Sequence, residues 1–472
     1  MYRIAKIQLF FQPVSEPAIE FRVGRQTTLF PRWLPGLIHV WLELETYPDI
    51  SKDGDSFPAT VGVSGDWPAF AWLDKRTEIS APDRFRQLME RVIQVRDAFV
   101  GTAFSSLNEL AELLMPQGDC ELRRTCHPLA LCESFCRSLI ERACLDAIGR
   151  ARQWSAREIL GRFHAEDLEN QVPSIWPQLP VASTELAIRH TVGLHDPISE
   201  ELEQDRSLQR IIDRYGIQFL KIKISGDLEW DLERLEHLWQ ATKDRDVQLT
   251  LDGNESYESP EKVLEMVTRL RRECPGLFGR ILFLEQPLSR LKTSGKESSA
   301  MRKVAEWLPL VIDEADGAAG AFSEAMDLGY TGVSHKNCKG VIKSLRNLAL
   351  IQRRGVGFMT GEDLTNLPLI PLNQDLAVAS ALGLKHIERN GHHYYPNLTY
   401  LPETTRTQML QDYPRLYRSG SKGVLELNIQ EGMLDVSDLD GPGLGLRQVP
   451  EKKCWRPIES FDFDRLCFTD RS

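Results

Sequence analysis

Two lysines one residue apart, Lys221-Ile-Lys223, are followed by three acids, Asp252, Glu285 and Asp313, spaced 33 and 28 residues apart, and then by Lys336. Carboxylates gathered in one place repel one another unless a cation lies among them, and hard oxygen donors of this kind suit Mg2+, with Mn2+ as its substitute. Lysines beside such a cation have an acid/base use. A proton next to a carboxylate is very weakly acidic, and removing it needs both a preorganised positive charge and a base. A lysine base must be neutral near pH 7; a second lysine and a divalent ion both push it that way, so depressed pKa values are expected for Lys223 and Lys336. Each feature is weak alone. An isolated Lys-x-Lys is more often a solvated strand face, and an acid after a strand often caps the next helix.

The elements that must position these residues argue for the stronger reading. From Val181 onward, short apolar runs alternate with amphipathic helical stretches every 25 to 30 residues or so: Gln218–Ile224, Val247–Leu251, Ile281–Leu284, Leu310–Ile312, Gly332–Ser334, Val356–Thr360 and His386–Ile387. With a first strand near Val181 this gives about eight βα units, which favours a closed α/β barrel of (β/α)8 type over an open sheet. No Gly-x-Gly-x-x-Gly follows the first strand, against a dinucleotide-binding fold. Strand alternation turns Leu220, Ile222 and Ile224 outward and Phe219, Lys221 and Lys223 inward. Asp252, Glu285 and Asp313 then stand at the ends of three consecutive strands, with Lys336 one unit later. By the same alternation His335 faces outward as a packed histidine. Lys339 is expected to start a helix on the surface.

Before the barrel, residues 1–165 read as an α+β region, with strands at Ile4–Phe11 and Leu37–Glu45 and helical stretches at Asp83–Val100 and Leu129–Arg150. The segments Phe21–Leu34, Asp53-Gly-Asp and Ser64-Gly-Asp-Trp read as long loops, a common place for function. The barrel spans 175–420, and 421–472 is a Gly- and Pro-punctuated tail. The net charge of −11 gives no basic surplus for nucleic acid. No 18-residue apolar run suggests a membrane span. The nine cysteines form no metal-binding pattern, and Cys132 and Cys136, one helical turn apart, suit buried thiols; reduced thiols and no signal-peptide pattern lead us to expect a cytoplasmic protein.

Taken as an ordered set, Lys221-Ile-Lys223, Asp252-Gly-Asn254, Glu285-Gln-Pro287, Asp313-Glu314 and Lys336 with Lys339-Gly340 resemble the enolase superfamily, in its muconate-lactonizing and dipeptide-epimerase branch. Ala143-Cys-Leu-Asp-Ala-Ile-Gly149 resembles that family's helix leading into the barrel, and Gly441-Pro-Gly-Leu-Gly445 its closing turn. The resemblance implies a modified barrel under an α+β cap that the C-terminal tail completes. It also implies an enediolate mechanism on a small carboxylate substrate. Asp252, Glu285 and Asp313 would be the metal ligands, Lys223 and Lys336 the acid/base pair on opposite faces of the α-carbon, and Lys221 the neutraliser of the carboxylate. Asn254, Glu362, Asp363, Glu388 and Asn390 would be substrate-binding or supporting residues, and the loop carrying Arg22, Arg25 and Trp33 the substrate lid. Homo-oligomers are a habit of the family. The eighth strand reads Glu388-Arg-Asn390 where dipeptide epimerases have Asp-x-Asp, which argues against a dipeptide. Racemisation, epimerisation and β-elimination (dehydration or cycloisomerisation) all fit the residues. A Schiff-base lysine aldolase and a barrel that binds ligand without catalysis are the competing readings.

Overall fold

The computed structural model describes the chain apart from residues 15–21, 24–26, 29–32, 48–58, 116–126, 171–173, 200–206, 294–297, 396–397, 421–422 and 470–472. Its larger part is a closed barrel of eight parallel strands: Glu185–Val192, Phe219–Lys223, Gln248–Asp252, Ile281–Glu285, Leu310–Ile312, Gly332–His335, Phe358–Gly361 and His386–Arg389. The eighth strand pairs with the first, Glu388 opposite Arg189, and closes the ring. The first strand begins at Glu185 rather than near Val181, which is 83% exposed. Leu220, Leu249, Leu251, Leu284 and Val333 are fully buried. Helices such as Leu228–Thr242, Pro260–Glu273 and Val341–Arg354 follow the strands, starting at Asp227, Ser259 and Gly340; the first two of these caps accept a hydrogen bond from the helix's first turn.

Over the barrel lies an antiparallel sheet of Tyr2–Gln12, Leu37–Thr46 and Thr60–Asp66, backed by helices Ala81–Phe99 and Ala130–Arg152. The expected loop at Ser64-Gly-Asp-Trp is mostly the end of the third strand. A Cβ at Gly62 would meet the Ala143 carbonyl oxygen at 2.1 Å, so the sheet can lie against the helix only without one, and a Cβ at Gly65 would meet the His39 ring at 2.2 Å. Cys132, Cys136 and Cys144 are buried thiols on that helix, while Cys120, Cys126 and Asp53-Gly-Asp lie outside the described residues.

The tail returns to the cap. Asp146 accepts from the backbone N–H of Val63 at 3.0 Å and of Leu444 at 2.9 Å, tying helix, sheet and the Gly441–Gly445 turn together. Arg456–Pro457 pairs with the first cap strand, and Phe461 packs on Phe11 and Phe85. Met433–Asp435 adds antiparallel to the first barrel strand. No helix among the described residues is long and apolar enough to cross a membrane.

Candidate active site

Strand register gathers the charged residues. Lys223 lies opposite Asp252, and Asp252 opposite Glu285, on three adjacent strands; Asp313 follows directly on the fifth. All are buried. The Lys221 ammonium is 3.0 Å from Asp252, 2.8 Å from Glu285, 2.6 Å from Glu362 and 3.1 Å from Glu388. Lys223 pairs with Asp252 at 2.6 Å and Lys336 with Asp313 at 2.7 Å. The two candidate acid/base lysines therefore enter from the second and sixth strands, on either side of the carboxylates.

These pairings shape the electrostatics. Burial pushes Asp252 up, but Lys221 and Lys223 outweigh it and hold the carboxyl below its ordinary range. Asp313 is held well below that range against burial by Lys336, Lys339 and Lys221. Glu285 goes the other way: burial, then Asp252 and Glu362, push it well above a normal carboxylate, with Lys221 only partly opposing them. Burial and Asp313 likewise push Glu314 up to about 7. Lys336 is shifted by its acid partner. Burial favours its neutral amine, but the adjacent Asp313 carboxylate prevails and holds it well above the ordinary lysine value.

Among the described residues no three His, Cys, Asp or Glu side chains are gathered as a ready metal group, because ammonium groups stand between the acids. The donor set nonetheless suits a hard cation. Asp252 and Asp313 each disfavour the ionisation of Glu285, and Asp313 that of Asp252, so the three hard oxygen donors lie near enough for one divalent cation to relieve their repulsion.

Other expected residues sort differently. Asn254 donates from Nδ2 to Glu314 at 3.0 Å. Glu362 is bonded to Arg189, a fully buried first-strand residue that closes the barrel beneath the lysines. Glu388 accepts from Thr191 at 2.6 Å as well as from Lys221, so its charge serves a lysine of the protein. Asp363 pairs with Arg389 at 3.0 Å and is pushed up to about 7 by burial. Asn390 is buried with an unpartnered Oδ1. His335 packs outside the barrel against Ser344 at 2.8 Å, as alternation requires, and burial lowers it to about 4.

Lys339 is not a surface residue. It is 2% exposed and reaches Asp313 at 3.2 Å, Asp316 at 3.4 Å and Ser334 at 2.6 Å. A short 3-10 turn at Asn337–Lys339, rather than the start of a helix, turns it back toward the strand ends. Of the expected lid, Arg25 and the Arg22 side chain lie outside the described residues, while Trp33 stacks on Phe70 within the cap. The sequence reading missed Arg189, Thr191 and Ser334, although each shares the inward register of its strand. Trp72 carried no motif that could have marked it.

The geometry defines a class: a capped barrel with acids on consecutive strand ends and lysines flanking them. Residues 203–452 match the Enolase C-terminal domain-like family of mandelate racemase/muconate lactonizing type, more than half of the chain, and the protein belongs to that family within the enolase superfamily. It is 26% identical over 227 residues to an L-Lys-D/L-Arg epimerase from Methylococcus capsulatus; the match covers 48% of this chain, which spans about half (54%) of that relative's length. The fold resembles a mandelate racemase/muconate lactonizing protein from Herpetosiphon aurantiacus (TM-score 0.59, 19% identity, 94% of this chain and 99% of that one). It also resembles a dipeptide epimerase from Enterococcus faecalis (TM-score 0.55, 15% identity, 94% and 100%).

Proposed function

We propose that the protein is an Mg2+-dependent isomerase that removes and returns the proton α to the carboxylate of a small acid. The observation that carries this reading is the pair of buried lysines, Lys223 and Lys336, entering from two sides of one carboxylate cluster. Asp252, Glu285 and Asp313 would hold the metal, with Mn2+ as a workable substitute, and when bound it would supply positive charge for the substrate carboxylate and its enediolate. Lys223 and Lys336 flank the cluster, so that one, as the neutral amine, would take the α-proton and the other, as ammonium, would return a proton to the opposite face. Lys221, charged among four carboxylates, fixes their orientation. A Schiff-base mechanism needs one lysine and gives the three neighbouring acids no role, which counts against that alternative. The epimerase among the relatives supports isomerisation over elimination.

The test is incubation with a library of carboxylic acids in D2O, with Mg2+ or with EDTA, read by mass. Mg2+-dependent uptake of one α-deuteron is the expected result, and a loss of mass would mean elimination. Uptake that persists in EDTA would overturn the metal role of the three acids.

A further inference from the structure

One cap residue enters the barrel mouth. Trp72 lies in the helical turn Phe70–Leu73 and is 5% exposed. Its indole face lies under the Lys336 ammonium, which is 4.3 Å from the ring centroid. Its Nε1–H donates to Glu314 Oε1 at 3.0 Å, and that same oxygen accepts from Asn254 Nδ2 at 3.0 Å. The turn itself is clamped to the barrel. Arg290 donates to the carbonyls of Leu73 at 2.9 Å and Trp72 at 2.8 Å, and its other side is paired with Glu255 at 2.8 Å. Trp33 stacks on Phe70 from behind at 5.4 Å. This single turn therefore touches the segments that follow the fourth and fifth barrel strands, at Arg290 and Glu314, and the lysine that follows the sixth, and it reaches Asn254 and Glu255 after the third through those two residues.

Each contact has a stated effect. A cation over an indole face is attracted by the ring quadrupole, and the attraction grows when water is excluded, as it is here. The Nε1–H leaves the Glu314 side chain one bound oxygen and one buried oxygen without a partner, so the contact fixes which way that carboxyl faces. Lys223, by contrast, has no aromatic neighbour of this kind among the described cation–ring contacts. Among the described residues the two lysines are thus not equivalent: both pair with a barrel acid, and Lys336 also meets a ring of the cap.

We propose that Trp72 is a positioning residue for one face of the reaction, holding Lys336 over its ring and bracing Glu314 and Asn254, so that the Lys336 side of the site is set by the seating of the cap turn. This rests on the two-lysine reading above, and the experiment separates the two. In full-length Trp72→Phe and Trp72→Ala proteins, α-deuterium uptake is measured separately for each enantiomer of the acid found in the library screen, with faces assigned by Lys223→Ala and Lys336→Ala. Trp72→Ala is expected to slow uptake on the Lys336 face about tenfold or more relative to the Lys223 face, with Trp72→Phe in between because it keeps a ring and loses the N–H. Equal slowing of both faces, or none, would overturn the proposal. Where the native protein shows no uptake with any acid, the two-lysine reading is the one that fails. Trp72 is then decided without substrate by hydrogen–deuterium exchange. Peptides covering 253–256 and 313–316 should exchange at least tenfold faster in a Trp72→Ala protein of native circular dichroism, and unchanged exchange overturns the brace. Should Trp72→Ala fail to fold, Trp72→Phe carries both measurements with the same criteria.

Discussion

Arg142 in the cap and Lys221 in the barrel are both fully buried cations, and the protein neutralises them in opposite ways. Arg142 has one acid, Asp66, at 2.8 Å, and spends its other donors on the carbonyls of Gly65 at 2.9 Å and Ser138 at 3.2 Å. That is a one-for-one pair with its remaining valences satisfied, the arrangement by which a buried ion pair is tolerated in a fold. Lys221 has four acids within 3.1 Å, more than one ammonium can neutralise, and Glu314 of the same mouth is left with an unpartnered buried oxygen. Folding gains nothing from an excess of buried carboxylate. The cap pair is structure; under the proposed function the charge retained at the barrel mouth is what the reaction would use.

The largest effects belong to the mouth. Lys223→Ala and Lys336→Ala should each lower α-proton exchange by about 10²–10⁴-fold, the usual span for a lost general acid or base, while the far-ultraviolet circular dichroism stays native. Exchange by either variant at the native rate would remove that lysine from the reaction.

The two cations can be set against each other directly. Arg142→Met should destabilise the protein by about 3–5 kcal/mol in urea melts, since it strands Asp66, and adding Asp66→Asn should recover most of that. Lys221→Met should cost a similar amount without added metal, yet no single acid substitution should recover it, because four carboxylates remain. Millimolar Mg2+ should restore the Lys221 variant and leave the Arg142 variant unchanged. Equal responses to Mg2+ would erase the distinction drawn between the regions. A smaller effect attends Lys339→Met. At the surface it would change stability by no more than about 0.5 kcal/mol; buried against Asp313 and Asp316, it should cost about 1–3 kcal/mol.

The same contrast explains what could be read from the chain. Barrel strands were legible because their apolar runs recur at a fixed interval and end in acids, and alternation alone turned Lys221 and Lys223 inward and His335 outward. Lys339 was misplaced because alternation stops at Lys336: a 3-10 turn, not a strand or helix, governs its direction. The direct partner of Lys336 was hidden for a related reason, since the expectation counted a neighbouring lysine and a divalent ion and could not place Asp313, one strand away at 2.7 Å. Trp72 was invisible because its partners lie more than two hundred residues along the chain, on elements whose meeting depends on how the cap docks.

Two histidines extend the comparison to proton linkage. His39 in the cap sits between Gln12, at 2.8 Å from its Nε2, and the indole of Trp455, 4.5 Å between centroids, and burial lowers it to about 3. His335 beside the barrel is lowered to about 4, also by burial, with Asp375 only partly opposing it. Both start from 6.5. Because the folded values are depressed, the unfolded chain binds a proton that the native protein refuses. Their contribution to stability is therefore complete above about pH 6.5 and is lost as the pH falls, by up to about 1.4 kcal/mol per pH unit for each group. For His335 the loss should level off near pH 4; for His39 it should continue to about pH 3. His39→Gln and His335→Asn should each remove one proton from the slope of unfolding free energy against pH below 6.5, measured by urea titration. A slope that keeps its native value in the His39→Gln protein while falling in the other would mean that the cap histidine already takes its proton in the folded state. Its burial between Gln12 and Trp455 would then be looser than that of the histidine packed against the barrel.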